Sequence, residues 1–268
     1  MMRTRFAPSP TGYLHIGHIV NAIYVWGMAR ERGGEVLLRI EDHDRQRSRP
    51  EYEAALLDDL DWLGFAPDIY STDDFRRGPC QGRQGDREEI YRAALAELVE
   101  LNLVYGCDCS RRQLESPVYP GTCRDRGLSL TGGVGWRVRM EGDDGDVLVR
   151  DRLGNWTYQW AVTVDDTVQH ITHVIRGADL RDSTPRQIAL ARLLGRETPP
   201  EFLHHPLIMK SATQKVSKSE GDTGLRELRA AGWTAARLIG QAAMLVGLQP
   251  DATPIEPANV QHLFAARQ

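Results

Sequence analysis

A chain of 268 residues with 41% hydrophobic and 26% charged residues can build an ordinary globular core without covalent staples. Its formal charge of -4 excludes a global attraction to nucleic acid, so any such partner would need a local basic patch. Four cysteines in this length argue against a disulfide scaffold; with no 18-residue apolar run and no apolar stretch in the opening MMRTRFAPSP, the chain reads as cytoplasmic, off the membrane and thiol-reduced.

In chain order, the sequence predicts a short strand over Arg3–Ala7 and a helix over Gly17–Glu31, closed by Gly33-Gly34. EVLLRI, Glu35–Ile40, is a buried-strand pattern. SRPEYEAALLDDLDWLGF begins near a proline and spaces Ala55, Leu56, Leu60 and Leu63 as a helix. Strand, helix, strand, helix in this order predicts a right-handed parallel unit. A further helix over Asp86–Asn102 is expected to bury Ile90, Ala94, Leu98 and Leu101. Leu103 to Val149 is loop-rich and reads as an insertion within an α/β domain. GWRVRM, DVLVRD, NWTYQWAVTVDD and VQHITHVIRG alternate as strands, and STPRQIALARLLG opens on a capping residue and proline and ends on glycine, as a helix does. Gly224–Ala231 and Thr234–Val246 are short helical patterns, and Gln249–Pro257 reads as a proline-rich tail.

Two motifs suggest phosphate chemistry. In TRFAPSPTGYLHIGH, Thr4–His18, a strand hands over to a helix through prolines and glycines. Gly12 and Gly17 permit close backbone approach there, and His15 and His18 can donate to phosphate oxygens at the helix N-terminus. Far downstream, QKVSKSEGDTG places Lys215, Ser217 and Lys218 in a polar loop able to fold over a phosphate chain. A third constellation suggests metal. Cys107, Cys109 and Cys123 fall within 17 positions and supply three thiolates, while zinc wants four ligands. No histidine lies between His43 and His170, so the fourth is Tyr119, a carboxylate (Asp108, Glu115 or Asp125) or water. Cys80 reads as an isolated small residue. The arginine runs Arg176–Arg196 and Arg226–Arg237 read as solvated helix faces before phosphate grips.

Together, RFAPSPTGYLHIGH and KVSKS resemble the two signatures of class I aminoacyl-tRNA synthetases, most closely those of the glutamyl group. LLRIEDHDRQRS at 38–48 resembles that family's R-I-E-D-T-D segment, and TYQWAVTVDD, ITHVIRGADL and STPRQ at 157–187 resemble its Y-x-x-A-x-x-V-D-D and V-I-R-G segments. The resemblance runs from Arg3 to Gly224. It implies an α/β, Rossmann-like parallel-sheet catalytic domain with a zinc-binding insertion and a short helical C-terminal segment. It also implies attack of a glutamate carboxylate on the α-phosphate of Mg2+-bound ATP, then transfer of the glutamyl group to RNA. Carried over residue by residue, His15, Gly17, His18, Ser217 and Lys218 meet ATP, and His15, His18, Lys215 and Lys218 are catalytic. Arg5, Tyr158 and Arg176 read the glutamate side chain, Glu41 and Ser9 hold its amino group and position, and Phe6, Ala7 and Pro8 belong to the same stretch. Cys107, Cys109, Tyr119 and Cys123 match a structural zinc site.

Only 49 residues follow Ser219, too few for the anticodon-binding region of a full glutamyl enzyme. The chain therefore resembles the truncated branch that attaches glutamate to queuosine in the anticodon of tRNA(Asp). HIGHIVNAI, without the arginine common in full-length relatives, agrees. The expected division is residues 1–102 and 150–222 for the two halves of the catalytic domain, 103–149 for the insertion and 223–268 for the helical end, acting as a monomer. KVSKS carries valine in place of the usual methionine, and Asp179-Leu180 replaces an aromatic found in some relatives. Three other readings stay open: a shortened enzyme charging the acceptor end of tRNA(Glu), a non-catalytic RNA-binding relative, and a small-molecule nucleotidyltransferase.

Overall fold

The computed structural model describes residues 1–110, 113, 118–142, 145–208 and 224–265, and every element below lies within them. Strand β1 (Arg3–Phe6) passes through the proline-glycine turn into helix α1 (Ile16–Glu31). Gly33, at φ +61°, turns the chain into β2 (Glu35–Leu38). β1 and β2 pair in parallel, Arg3 opposite Glu35 through Phe6 opposite Leu38. Later in the chain β6 (His173–Gly177) and β7 (Glu201–His205) form a second parallel pair. β6 lies beside β1: the Thr172 N–H donates to the Arg3 carbonyl at 2.9 Å, and the Arg3 N–H to Thr172 Oγ1 at 2.8 Å. This is the parallel α/β frame that the sequence predicts.

Between these halves sits an antiparallel sheet of β3 (Val104–Cys107), β4 (Gly135–Val138) and β5 (Val147–Arg150). Its strands pack with α4 (Glu88–Glu100) around a second core containing Leu98, Val138, Val149, Trp156 and Trp160. The main core lies between the parallel strands, α1, α2 (Pro50–Leu63) and α8 (Ala235–Leu245), with Ile23, Leu38, Leu60 and Ile239 fully buried. A short helix, α3 (Thr72–Arg76), follows α2; α6 (Thr184–Leu193) precedes β7, and α7 (Leu225–Ala230) precedes α8.

Three expectations are corrected. The run NWTYQWAVTVDD does not form a strand; it becomes helix α5 (Tyr158–Val168). Trp160 and Val164 face the second core, while Asp165 and Asp166 face a buried charge network; the run's aromatic and β-branched residues suit a strand equally well, which is why the pattern misleads. Thr163 and Thr167 satisfy their hydroxyls on the carbonyls one turn back, of Gln159 and Thr163. On α4 the buried stripe is Tyr91, Leu95 and Leu98, with Leu101 exposed, because the Tyr91 hydroxyl is drawn to Asp165. The end of the chain does not trail away. A 3₁₀ segment, Pro257–Leu263, lies on α1 with Val260 buried, and the Phe264 ring stacks edge-on to Tyr24 at 5.3 Å. Gly27 leaves room for that ring, which a side chain at 27 would strike.

Candidate active site

The turn before α1 is held by its own histidines. His15 is the N-cap residue and its Nδ1 accepts the Gly17 N–H at 3.1 Å, while His18 Nδ1 accepts the His15 N–H at 3.1 Å. With Nδ1 accepting in each neutral ring, Nε2 is the nitrogen that carries hydrogen. Both rings can then donate to an oxyanion at the positive end of the helix. The rings sit 4.1 Å apart, and a Cβ on residue 17 would press the His15 ring at 2.9 Å, so glycine is needed there.

A cavity of about 440 Å³ opens where the carboxyl ends of β1 and β6 meet this turn. It brings together Arg5, Phe6, Ala7, Pro8, Ser9, Glu41, Tyr158 and Arg176 with His15, Gly17 and His18. These are the sequence-predicted glutamate and ATP residues that lie within the described ranges. Lys215, Ser217 and Lys218 lie outside them.

Inside the cavity two guanidinium groups are treated differently. Arg5 is 4% exposed and pairs with Asp166, its Nε 3.1 Å from Oδ1. Arg176, also 4% exposed, is held by neutral groups: Gln187 Oε1 and Thr184 Oγ1 at 2.7 Å each, the Tyr158 hydroxyl at 3.4 Å and His204 Nε2 at 3.3 Å. No carboxylate lies within ion-pair distance of it among the described residues. Burial depresses its pKa, and nearby Arg5 adds to the depression. Such a buried cation is costly unless an anion arrives. Glu41 lines the opposite chemistry: burial raises its carboxyl, countered by Arg39 and Arg5.

Beneath the cavity lies a charge network that sequence reasoning missed. Fully buried Arg39 donates to Asp166 at 2.7 Å and to Gln169 Oε1 at 2.7 Å, and its Nη1 lies 3.6 Å from Glu41. Burial alone would raise the Asp166 carboxyl, but Arg5 and Arg39 outweigh it and hold it below its ordinary range. Asp165 accepts from Arg87 at 2.7 Å, from Gln84 at 2.8 Å and from Tyr91. Arg39, Asp165 and Asp166 all stand in the R-I-E-D and V-D-D segments, so the motifs contained the signal while assigning them no role. Thr184 and Gln187, which hold Arg176, are likewise the second and last residues of the STPRQ segment, again with no role assigned.

The cysteine cluster is remote from this cavity in its own small core with Tyr105 and Leu128. The sulfurs of Cys107, Cys109 and Cys123 lie within 4.8 Å of one another, with Cys109 and Cys123 3.5 Å apart. The Tyr119 oxygen stands 3.3 Å from Cys107 Sγ and 3.7 Å from Cys109 Sγ, and accepts the Cys123 N–H at 2.9 Å. A tetrahedral site with Zn–S bonds of ~2.3 Å has ligand edges of roughly 3.5–3.8 Å, close to the Cys109–Cys123 separation and to the distances of the Tyr119 oxygen from Cys107 and Cys109. Of the predicted carboxylates, Asp108 pairs with Arg126 and also accepts from Cys123 Sγ at 3.4 Å, Asp125 faces Arg139, and Glu115 lies outside the described residues. Burial raises the Cys123 thiol, but hydrogen bonds from Tyr119, the Asp108 backbone and others bring it down to about 7, toward the thiolate a metal needs. Cys80 is a separate buried thiol, raised by burial.

Comparison with known proteins adds the following. The sequence family described as tRNA synthetases class I (E and Q), catalytic domain, matches residues 1–118 and 127–254. The chain is 38% identical to a glutamyl-Q tRNA(Asp) synthetase of Symbiobacterium thermophilum, over 98% of this chain and 92% of that protein. It is 40% identical to a glutamyl-Q tRNA(Asp) synthetase of a Synechococcus species, over 97% and 89%. Among solved structures, a glutamate tRNA ligase from Elizabethkingia meningosepticum in complex with its amino acid superposes with a TM-score of 0.77 at 25% identity. That match covers 97% of this chain but only 64% of the ligase.

Proposed function

The chain belongs to the catalytic-domain family of class I glutamyl and glutaminyl tRNA synthetases, and from that premise we propose that it activates L-glutamate with ATP and transfers the glutamyl group to queuosine in the anticodon of tRNA(Asp). The observation that carries the glutamate assignment is Arg176, a buried guanidinium with no carboxylate partner among the described residues, facing the same cavity as Arg5 and Glu41. A dicarboxylic amino acid supplies what is lacking. Its side-chain carboxylate meets Arg176, Arg5 and the Tyr158 hydroxyl, and its ammonium group meets Glu41, with Ser9 and the Phe6–Pro8 backbone fixing its position.

The Nε2–H groups of His15 and His18 and the N-terminus of α1 take the ATP phosphates, with Mg2+ entering as part of the substrate. Lys215 and Lys218 stabilise charge developing on the α-phosphate, with Ser217 beside them. The carboxylate attacks the α-phosphorus, pyrophosphate leaves, and an RNA hydroxyl then displaces AMP from the glutamyl carbonyl. Cys107, Cys109, Tyr119 and Cys123 hold one structural zinc, which ties the knuckle to β3. The four-part division at 102, 149 and 222, and action as a monomer, belong to the same proposal. The coverage of relatives favours the queuosine branch: the chain spans about nine-tenths of the glutamyl-Q proteins and under two-thirds of the solved ligase.

The test supplies radiolabelled glutamate, ATP and Mg2+ with tRNA(Asp), with and without queuosine, and with tRNA(Glu). Label on queuosine-bearing tRNA(Asp) that survives periodate treatment of the 3′ end is the expected result. Label on tRNA(Glu) alone makes the chain a shortened charging enzyme. No label and no glutamate-dependent pyrophosphate exchange overturns the catalytic reading.

A further inference from the structure

His43 stands where the resembling family segment has threonine, two residues beyond Glu41, and its surroundings fix its chemistry. Asp165 can only accept, so the Gln84 side chain that meets it at 2.8 Å must present Nε2 to it and turn Oε1 the other way. That oxygen lies 2.7 Å from His43 Nδ1, which therefore carries the hydrogen. The lone pair is left on His43 Nε2, which has no protein partner among the described residues. The imidazole faces a second cavity of about 250 Å³, and its ring lies 6.1 Å from that of Tyr158, which lines the glutamate cavity. Arg45, Arg92, Arg150 and Trp156 form the far wall of this second cavity, with the Arg150 guanidinium over the Trp156 indole at 5.1 Å. Glu88 also lines it, taking up Arg92 at 2.8 Å and the Trp156 N–H at 2.6 Å, which leaves Arg45 and Arg150 as cations that, with the indole, suit a nucleotide's phosphate and base.

The geometry points to His43 Nε2 as the base of the transfer step, an inference that rests on the proposed function. The RNA hydroxyl enters from the His43 side and its oxygen attacks the glutamyl carbonyl carbon of the adenylate. A new ester C–O bond forms, the carbonyl carbon–phosphate oxygen bond breaks, and AMP leaves with that electron pair. The hydroxyl proton passes to His43 Nε2 and then to solvent. Gln84 and Asp165 are positioning residues that keep the accepting nitrogen on the substrate side.

The test separates the two half-reactions. His43→Asn keeps a donor for Gln84 but has no base, and His43→Ala opens space for added imidazole. Glutamate-dependent pyrophosphate exchange is expected to stay within about twofold of wild type in both. Single-turnover transfer from preformed adenylate to queuosine-bearing tRNA(Asp) is expected to slow by at least about tenfold, within the range for a positioned base. Imidazole is expected to restore part of the rate in the alanine variant. Unchanged transfer in His43→Asn overturns the assignment, as does a parallel loss of exchange and transfer, or alanine-variant transfer that imidazole does not raise. If wild type itself shows no exchange, the proposed function fails first, and this inference fails with it.

Discussion

Arg176→Gln tests the glutamate pocket most directly. The wild-type side chain donates to Gln187, Thr184, Tyr158 and His204, and all four partners are uncharged or only weakly basic. Glutamine can keep one of these bonds but cannot neutralise an incoming carboxylate. Two charge-assisted hydrogen bonds to that carboxylate, at ~1.5–3 kcal/mol each, allow for a loss of about 3–6 kcal/mol. At ~1.4 kcal/mol per decade this is a rise of about 10²–10⁴ in the glutamate KM of pyrophosphate exchange. The free protein should behave oppositely. Removing a desolvated cation that lacks a counter-ion relieves a cost, so the Tm without glutamate is expected to hold or rise, while the Tm gain on adding glutamate disappears. A glutamate KM within twofold of wild type would refute the pocket assignment. A large fall in Tm without ligand would show that Arg176 serves the fold instead.

Other outcomes are expected. Lys218→Ala should slow adenylate formation while leaving glutamate affinity, measured by calorimetry, largely intact; unchanged exchange kinetics would remove this lysine from the mechanism. Metal analysis of purified protein should find about one zinc per chain, and Cys109→Ser should lose it together with several degrees of Tm; a metal-free sample of full activity rules the site out. Asp59 is 2% exposed, its Oδ2 has no hydrogen-bond partner among the described residues, and burial raises its pKa to about 6 despite Arg226 and Arg229. A raised carboxyl disfavours the fold once ionised, so this cost is present above about pH 6 and fades as pH falls toward the unfolded value of ~3.9. Asp59→Asn should therefore raise Tm at pH 8 by more than at pH 5, and equal shifts at both would contradict the burial argument.

Much of the fold was legible because its parallel unit is written in local signals. The EVLLRI strand and the proline-started α2 carry a pattern and punctuation, and the helix from Gly17, apolar nearly all round, is bounded by glycines. α5 was not legible as a helix, because its aromatic and β-branched residues also suit an alternating strand and its carboxylates turn inward toward partners more than seventy residues away. The chain's end failed for a related reason: Val260 and Phe264 are too sparse to show a period, yet each fills a gap on α1. In the site, the motifs named the residues that face the cavity. They gave no role to Arg39, Asp165 and Asp166, since a buried ion network is a property of the assembled fold. Tyr119 is a different case: spacing left it level with three carboxylates, the resemblance singled it out, and its hydroxyl lies beside Cys107 and Cys109.

The distance along the chain between ion partners also bears on how this protein assembles. Arg5 and Asp166 are 161 residues apart, Arg39 and Asp166 127 apart, with the entire antiparallel insertion between them. Until the second parallel pair docks against β1, Arg5 lacks its Asp166 partner and Arg39 has only Glu41 at 3.6 Å. Neither half can therefore close around its own charges, and docking of the two becomes the step that commits the chain. Contacts so distant in sequence slow that step. The cavity proposed for glutamate straddles the same seam, so on that proposal glutamate acts as a late-binding brace and its affinity reports whether the two halves have come together.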